Sequence, residues 1–363
     1  MLASDQAVSE FTLPPVDVRS LARRAVVPAV VAAVAVGVLV LGGGPIHAIT
    51  DALRRGLDAS PAWAVLGIAF ECASLAGYVA LMSLVAGRAT SRIGMRESAQ
   101  ITLTGAAATR LLPTAGAGGI ALAVWALRRA GLRPASAART LLSFLVLLYS
   151  VFLSVVVLAG AALAFGLVAG HGPAVLGAIP AAAATIVIGL CLVLATRKPS
   201  NGPGAATSHE SDHHRRRSQR VRSAAQMTGG AVRDAIALVS AGDLRIAGAA
   251  AYWVFDAAVL WSMLHAFGSP PTLPVVALAY FIGQVANTLP IPGSVSGGMA
   301  GVLIAFGVHP ELALPAVLAY RTLAVWLPLP AALVSIPRLR ATVARWGRDD
   351  TAAAAPAAVK LAG

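Results

Sequence analysis

The sequence predicts an all-α polytopic membrane protein with about six full transmembrane spans and two re-entrant helical hairpins arranged as an inverted repeat. Three observations lead to this fold class. First, 58% of the 363 residues are hydrophobic and only 12% are charged, with a mean hydropathy of +0.78, which excludes an ordinary water-soluble globule. Second, several apolar stretches are long enough to cross a bilayer. Third, two further apolar stretches are interrupted near their middles by proline and glycine.

The uninterrupted apolar stretches reach the roughly 20 residues that a transmembrane helix needs. They cover residues 25–43, 62–86, 140–168, 174–196, 244–267 and 313–336. Arginines precede the first stretch, as in a secretory signal peptide, but the stretch is longer than a typical signal-peptide core and no convincing cleavage site follows it. We therefore expect it to be retained as a span.

The stretches 99–127 and 274–306 are too interrupted to form single spans. Proline removes a helical hydrogen-bond donor and glycine loosens a helix, so each stretch should form two half-helices around a turn. Each half has about 10 to 16 residues, or about 15 to 24 Å of helix, which is shorter than a ~30 Å hydrocarbon core. Two re-entrant hairpins are therefore predicted. Their break residues are Pro113, Gly116, Gly118, Gly119, Pro290, Pro292, Gly293, Gly297 and Gly298.

The arginine distribution tests the hairpin interpretation, because a hairpin returns the chain to its own side of the membrane whereas a single crossing would reverse everything downstream. With hairpins, the clusters of arginine fall on the cytoplasmic side and only Arg54 and Arg55 fall outside. Both termini are therefore expected to be cytoplasmic. The net charge of +13 is assigned to this orientation and not to nucleic-acid binding, for which the aromatic residues are also too sparse.

The expected organisation follows from these spans. It comprises a cytoplasmic N-terminus, first span and external loop (1–61), a first repeat (62–168), a linking span (169–196), a basic, disordered cytoplasmic loop (197–243), a second repeat (244–336) and a cytoplasmic tail (337–363). Disorder is expected because the first part of the loop is rich in Ser, Gly, Pro, His and Arg and lacks apolar periodicity. A metal site in its His and Asp residues is the alternative to a solvated linker near anionic headgroups, which is favoured.

The two broken stretches resemble each other. Short motifs recur in the same order at an almost constant offset: Pro113-x-x-Gly116 with Pro290-x-x-Gly293, and Gly131-x-x-Pro134 with Gly307-x-x-Pro310. Internal duplication explains this better than chance similarity of Ala/Gly-rich segments. Inverted repeats with broken helices are typical of secondary transporters, because irregular backbone in a membrane must be covered by protein or water. The alternative is that the breaks only allow close helix packing.

Four ionisable residues lie well inside the apolar stretches: Glu71, Arg110, Asp256 and Arg321. A charge in hydrocarbon costs at least a few kcal/mol, so each should face the protein interior, a partner or a cavity. Arginine stays charged and presents a fork of donors suited to phosphate or carboxylate, so Arg321 and Arg110 are candidate ligands of an anionic headgroup. Glu71 and Asp256 would balance charge or carry a coupling proton. Structural pairing of an acid with an arginine is the alternative.

Polar side chains near the second break and in the last span complete the candidate substrate site: Gln284, Asn287 and Tyr320. The amides can hydrogen-bond a substrate, although satisfying backbone groups freed by the break is their favoured role. The sequence contains no catalytic motif, cofactor fingerprint or metal-ligand spacing, so neither enzyme activity nor a cofactor nor a metal is expected. Cys72 and Cys191 lie in apolar stretches and are interpreted as small core residues.

The second break and the residues after it carry a resemblance to a known family. The segments concerned are Gly283-Gln284, Asn287-Thr-Leu-Pro290-Ile-Pro292-Gly293, Gly297-Gly298, Ala305-Phe306-Gly307-Val308, Tyr320-Arg321 and Trp326-Leu327-Pro328, with a looser counterpart from Gly105 to Gly119. Over about residues 62–340 the chain resembles the transmembrane region of bacterial lysylphosphatidylglycerol synthetases and related flippase-like integral membrane proteins. The resemblance implies a plasma-membrane protein with re-entrant helices that moves a lipid or lipid-linked molecule between leaflets, or assists a glycosyl or aminoacyl transfer pathway.

Two departures from the family pattern bear on mechanism. Many relatives have a glutamate just after each glycine cluster, where this sequence has Ile120 and Met299. Cation binding or proton coupling through those carboxylates is therefore not expected. The full synthetases also carry a separate soluble domain for aminoacyl transfer, whereas this chain ends soon after its last predicted span. Lysyl transfer is accordingly not expected.

The leading functional hypothesis is a non-enzymatic, flippase-like protein that translocates a lipid or lipid-linked anionic molecule between leaflets. Membrane lipids are its expected partners, with an anionic phospholipid or a polyprenyl-linked glycan as candidate cargo. One alternative is a secondary transporter of a small soluble anion, which would need an enclosed site. Another is a non-catalytic membrane partner of a glycosyltransferase.

Overall fold

A computed structural model describes residues 60–111, 117–167, 173–196, 212–286 and 293–359, and every regular element in these ranges is helical. The α-helices are α1 Pro61–Ala89, α2 Met95–Leu111, α3 Ala117–Arg129, α4 Pro134–Ala164, α5 Ala174–Thr196, α6 Asp212–Ser240, α7 Ala247–Phe267, α8 Leu273–Ala286, α9 Ser294–Ala305, α10 Pro310–Trp326 and α11 Pro328–Val359. A short 3-10 turn, Leu244–Ile246, leads into α7. The predicted all-α fold class is confirmed.

Five described helical segments are long and apolar enough to cross a membrane. They are α1, α4, α5, α7 with its leading turn, and α10 with α11, and they correspond to five of the predicted spans. The predicted span 25–43 lies outside the described residues. The last span differs from the expected single element over 313–336, because α10 ends at Trp326 and α11 begins at Pro328. Proline has no N–H to continue the helical ladder but is well accepted at the start of a new helix.

Helices α1 and α7 form the most extensive helix pair in the described part of the chain. Near one end of the pair Gly77 lies against Gly248, and near the other end Gly67 lies against Ser262. Residue numbers therefore rise along α1 as they fall along α7, so the two helices are antiparallel. Because α1 opens the first repeat and α7 opens the second, the repeats run in opposite directions, as an inverted repeat requires.

Each predicted hairpin consists of two short helices packed against each other. Helices α2 and α3 have 17 and 13 residues, and α8 and α9 have 14 and 12. Each arm is therefore about 18 to 26 Å long, which is shorter than a ~30 Å hydrocarbon core. The arms touch at glycines, Gly105 against Gly119 in one hairpin and Gly283 against Gly298 in the other. The break residues Pro113, Gly116, Pro290 and Pro292 lie outside the described residues.

The second arm of each hairpin ends in the same kind of turn. In both turns, the residue after a left-handed glycine donates its backbone N–H to the carbonyl of the residue five positions earlier. The glycines are Gly131, with φ of 98°, and Gly307, with φ of 86°, a conformation that side chains disfavour. Three residues later Pro134 or Pro310 begins the next helix. The repeated Gly-x-x-Pro motifs thus form equivalent helix ends, which supports duplication.

The two repeats also pack reciprocally. The first hairpin arm of the first repeat, α2, packs on α11, whereas the first hairpin arm of the second repeat, α8, packs on α4. Helix α4 and the α10–α11 segment occupy the same place in their repeats, directly after the hairpin. Each hairpin therefore lies against the closing span of the other repeat. This exchange is expected when a pseudo-two-fold axis relates inverted repeats.

The expectation of a disordered loop over 197–243 is wrong for the segment Asp212–Ser240, which forms α6. This helix packs on α4 and α5, and its buried side chains are Ala231, Val232, Ala235 and Leu238. These residues recur every three to four positions, so they form an apolar stripe that the polar composition of the preceding residues conceals. Arg139 Nε of α4 also forms an ion pair with Asp234 Oδ2 of α6 at 2.6 Å.

The connection from α6 to α7 is closed by Asp243. Its carboxylate accepts hydrogen bonds from the Arg245 guanidinium at 2.7 Å and from the Arg245 backbone N–H at 3.0 Å. The same bonds lower the pKa of Asp243 to about 2. The carboxylate is therefore ionised, and able to cap the turn before α7, throughout the neutral pH range.

The tail expected after residue 336 is a docked helix. Helix α11 continues through this region and packs on α2. The buried Thr342 Oγ1 donates a 2.9 Å hydrogen bond to Gln100 Oε1, and Arg92 forms an ion pair with Asp350. The predicted boundary between the second repeat and a separate tail at 336/337 is therefore not a structural boundary.

Replacing Gly248 by valine should separate α1 from α7. A Cβ at this position would lie 2.3 Å from the Gly77 carbonyl oxygen, and backbone atoms cannot move aside cheaply. We expect the free energy of unfolding to fall by about 1 to 3 kcal/mol, measured as a lower thermal unfolding midpoint of the detergent-solubilised protein. Gly189→Val is the matched control, because a Cβ there meets no atom within 4 Å. Equal losses in both variants would contradict the close α1–α7 contact.

Replacing Gly229 by leucine should release α6 from α5. A Cβ at this position would lie 2.3 Å from the Leu194 carbonyl oxygen. Ala235→Cys provides the reporter, in a background without the native cysteines, because Ala235 is only 3% exposed. We expect slow maleimide labelling with Gly229 present and fast labelling after Gly229→Leu. Gly347→Leu is the control, since a Cβ there meets nothing within 4 Å; fast labelling before any glycine is changed would show that α6 is not docked.

Candidate functional site

A polar cluster lies in the interior where α7, α8 and α10 meet. The Tyr280 hydroxyl donates a hydrogen bond to Asp256 Oδ2, and the Tyr320 hydroxyl donates to the same oxygen at 3.2 Å. Gln284 Nε2 lies 3.5 Å from Asp256 Oδ2 and donates to the Tyr320 hydroxyl oxygen at 3.2 Å. We call these four residues, Asp256, Tyr280, Gln284 and Tyr320, the Asp256 cluster.

Helical spacing and burial explain how this cluster is assembled. Tyr280 and Gln284 are four residues apart, so their side chains share one face of α8. Tyr280 is 0% exposed, Tyr320 is 1% exposed and Asp256 is 7% exposed. Helix α8 is the first arm of the second hairpin and ends just before its break. The cluster therefore joins that hairpin to the two spans that flank it in the second repeat.

The cluster can keep a carboxylate inside an apolar bundle. A buried carboxylate is costly unless its oxygens accept hydrogen bonds, and bonds to a charged acceptor are stronger than bonds between neutral groups. Two hydroxyls and an amide point toward Asp256. Tyrosine and glutamine are neutral donors, so they stabilise the carboxylate without cancelling its charge. The arrangement offers a polar centre, with exchangeable hydrogen bonds, at the depth of the membrane spans.

Glu71 is the second buried acid and is 2% exposed on α1. The antiparallel pairing of α1 with α7 sets its level. The ring of Phe70 stacks on the ring of Phe255 with centroids 5.9 Å apart. Phe70 directly precedes Glu71, and Phe255 directly precedes Asp256. The contact between the two rings therefore places the two acids at about the same level of the helix pair. The structure thus brings both predicted intramembrane acids to one depth.

Arg321 lies half-buried on α10 beside the Asp256 cluster. It directly follows Tyr320, but successive helical residues point about 100° apart, so its side chain does not belong to the cluster. No side chain in the described ranges forms a hydrogen bond or an ion pair with its guanidinium. Arg321 is therefore a half-buried cation that directly follows a member of the Asp256 cluster along α10.

Two other predicted ligands remain untested predictions. Arg110 lies in the last turn of α2, but its side chain is not among those described, and Asn287 falls in the undescribed break. Sequence reasoning missed Tyr280, which donates to Asp256. A hydroxyl four residues before Gln284, on an otherwise apolar helix, is the signal that could have identified it.

The positions that directly follow the two glycine clusters are apolar and lie in different environments. Ile120 of α3 is 48% exposed, whereas Met299 of α9 is fully buried. The Met299 side chain occupies the space beside Gly283, where an added Cβ would lie 2.2 Å from Met299 Cγ. The buried acids of the described chain therefore lie on the spans α1 and α7 and not on the second hairpin arms.

The architecture and the site define a class: a multi-pass, all-α membrane protein built from inverted repeats with broken hairpins and a polar centre between its spans. Residues 25–332 match the family described as Lysylphosphatidylglycerol synthase TM region, and the chain belongs to this family. It is also similar to a UPF0104 membrane protein of Methanothermobacter thermautotrophicus, with 24% identity over 329 residues that cover 86% of this chain and 94% of the relative. The family resemblance found in the hairpin motifs is confirmed, and it fits a lipid-related role in a membrane.

A double-mutant cycle between Tyr280→Phe and Asp256→Ala should reveal strong coupling. Removing the hydroxyl from the otherwise unchanged protein should cost about 1.5 to 3 kcal/mol, because it bonds a charged group, whereas removing it in the Asp256→Ala background should cost little. Thermal unfolding in detergent measures both steps. The control cycle pairs Asp256→Ala with Tyr149→Phe, whose ring is 48% exposed. Additivity within about 0.5 kcal/mol in the Tyr280 cycle would contradict the hydrogen bond.

Proposed function

We propose that this protein moves a lipid or lipid-linked molecule with an anionic headgroup between the leaflets of the plasma membrane, without catalysing a chemical reaction. The observation that carries the proposal is the Asp256 cluster with Arg321 beside it, buried among apolar spans and next to a broken hairpin. Polar and ionisable groups at membrane depth are costly and generally mark a pathway for a polar substrate. Membership of a family of membrane regions linked to phospholipid modification supports the lipid as cargo.

The proposed path lowers the cost of carrying a headgroup through the apolar layer. Arg321 supplies a planar fork of donors that matches a phosphate or carboxylate, and Arg110 at the end of α2 is proposed as a second anion ligand. Hydroxyl and amide groups of the Asp256 cluster replace water around the polar headgroup. The hydrocarbon chains remain in the bilayer, so the protein needs to shield only the headgroup.

The two buried acids give the path a charge balance. Glu71 and Asp256 lie at one level, and Arg321 follows a member of the Asp256 cluster on α10. We propose that these carboxylates offset the positive charge of the arginine when no anionic headgroup is bound, or carry a proton that couples transport to a gradient. The inverted repeats support this proposal, because two halves related in this way can exchange conformations and so expose the path to each leaflet in turn.

Replacing Arg321 by alanine should slow exchange of anionic lipids. Purified protein is placed in liposomes with headgroup-labelled phosphatidylglycerol or phosphatidylcholine, and a membrane-impermeant quencher reports leaflet exposure. Loss of a charge-assisted hydrogen bond worth about 1.5 to 3 kcal/mol should reduce phosphatidylglycerol exchange by about tenfold or more. Arg321→Lys keeps the charge but loses the fork, so its rate should be intermediate. Arg340→Ala, on the exposed side of α11, is the matched control and should keep the parental rate.

The same assay separates the alternatives. Unchanged phosphatidylglycerol exchange in Arg321→Ala would remove the headgroup role from this residue. Absence of exchange by folded parental protein, for any lipid tested, would contradict translocation. Uptake of a soluble anion would then favour a secondary transporter, and co-purification with a glycosyltransferase would favour a membrane partner of that enzyme.

A further inference from the structure

An apolar groove of about 390 Å³ lies where α1, α4, α7 and α8 meet. This volume falls within the ~300–1,000 Å³ range of protein ligand pockets. All of its lining side chains are hydrocarbon or aromatic. Trp253, which lines one end, directs its indole N–H to the Leu148 carbonyl at 2.7 Å, so this polar group is already occupied. The groove therefore offers contact surface and no polar recognition.

The groove is about one leaflet deep. Its outer end is marked by Leu273, the first residue of α8, and by Trp261, whose ring packs on His265 at 4.1 Å between centroids. Tryptophan near a helix end is typical of the membrane–water interface. The inner end is formed by Trp253 and Phe281, with ring centroids 5.8 Å apart. Trp253 and Trp261 are eight positions apart on α7, which corresponds to about 12 Å along the helix axis, close to half of a ~30 Å hydrocarbon core.

The groove is open along one side in the described part of the chain. Val254 and Leu273, at its rim, are 53% and 65% exposed although they lie on apolar membrane helices. Small side chains, Ala257, Ala258 and Ala277, form its floor and create the concave shape. Water gains no hydrogen bonds in such a space, whereas a flexible hydrocarbon chain gains dispersion contacts along the whole groove.

We infer that this groove is a lipid-binding site that holds one hydrocarbon chain of a membrane lipid from the leaflet nearest the α7–α8 loop. The bound chain would end beside the Asp256 cluster, because Trp253 lines the groove and its ring lies 6.3 Å from the ring of Tyr280. Phe281, the other residue of the inner end, is the chain neighbour of Tyr280. The site thus connects the bilayer to the polar centre, and it does not depend on whether the protein transports lipid.

Photolabelling tests the site directly. The full-length protein is reconstituted in phosphatidylcholine vesicles that contain phosphatidylglycerol with a diazirine in one acyl chain, and the labelled residues are located by mass spectrometry after irradiation. We expect labelling concentrated on the groove faces of α7 and α8. Ala257→Phe fills the floor, and we expect it to reduce labelling there about tenfold, which corresponds to about 1.4 kcal/mol of lost binding free energy.

Two further variants control this experiment. Ala183→Phe adds the same bulk to an exposed position of α5 and should leave groove labelling unchanged. Ala277→Leu fills the groove from α8 and should also reduce photolabelling of the groove. Agreement between the two variants shows that the reduced labelling does not come from a folding defect in one of them. Thermal unfolding midpoints of all variants show that the protein remains folded.

Two outcomes would overturn the inference. Uniform labelling of every lipid-facing helix would show that the groove has no preference for a chain. Labelling of α5 without labelling of the groove would show that protein covers it, either residues 25–43 or a second copy of the chain. Groove labelling together with no leaflet exchange in the transport assay would refute translocation while leaving the chain-binding site intact.

Discussion

The close contact between α1 and α7 is the constraint on which the remaining structure depends. Gly77 and Gly248 allow the backbones of the two helices to touch. A Cβ atom at either position would clash with the facing backbone. The contact is antiparallel, so it sets the opposite directions of the two repeats. It also fixes the relative height of the helices and brings Glu71 and Asp256 to the same depth. Each hairpin packs against the closing span of the other repeat, so the relative placement of the repeats also sets where the hairpins lie.

The buried acid Asp256 is accommodated among apolar helices because its carboxyl oxygens accept hydrogen bonds from neighbouring helices. Asp256 receives hydrogen bonds from α8 and α10, so one carboxylate ties three helices of the second repeat together. An apolar residue at this position would bury more easily but would not orient Tyr280 and Tyr320. The polar cluster therefore gives directional contacts to a bundle whose other contacts are mostly non-directional, at the cost of burying a polar acid.

The sequence was most informative where physical rules act locally. Apolar length predicted the spans, proline and glycine predicted the hairpins, and the cost of intramembrane charge identified Glu71 and Asp256. Long-range pairings were not predictable from one sequence. In the sequence, Tyr280 is one aromatic residue among several apolar ones. Its role as a hydrogen-bond donor becomes visible only when α7 and Asp256 are placed beside it. Docking of α11 depends on Thr342 meeting Gln100, 242 positions away. Helix α6 was missed because its short stripe of small apolar residues follows a strongly polar segment.

The two buried acids of the described chain lie on spans and not on the hairpin arms. An acid on a hairpin arm would move with the broken helix, whereas Glu71 and Asp256 lie on the paired spans α1 and α7, which form the most extensive contact of the described chain. Met299 fills the corresponding hairpin position with a side chain packed on Gly283. The hydrogen bonds that Tyr280 and Gln284 of α8 donate to Asp256 of α7 link the second hairpin to this helix pair, so the hairpin and the paired spans share one polar contact.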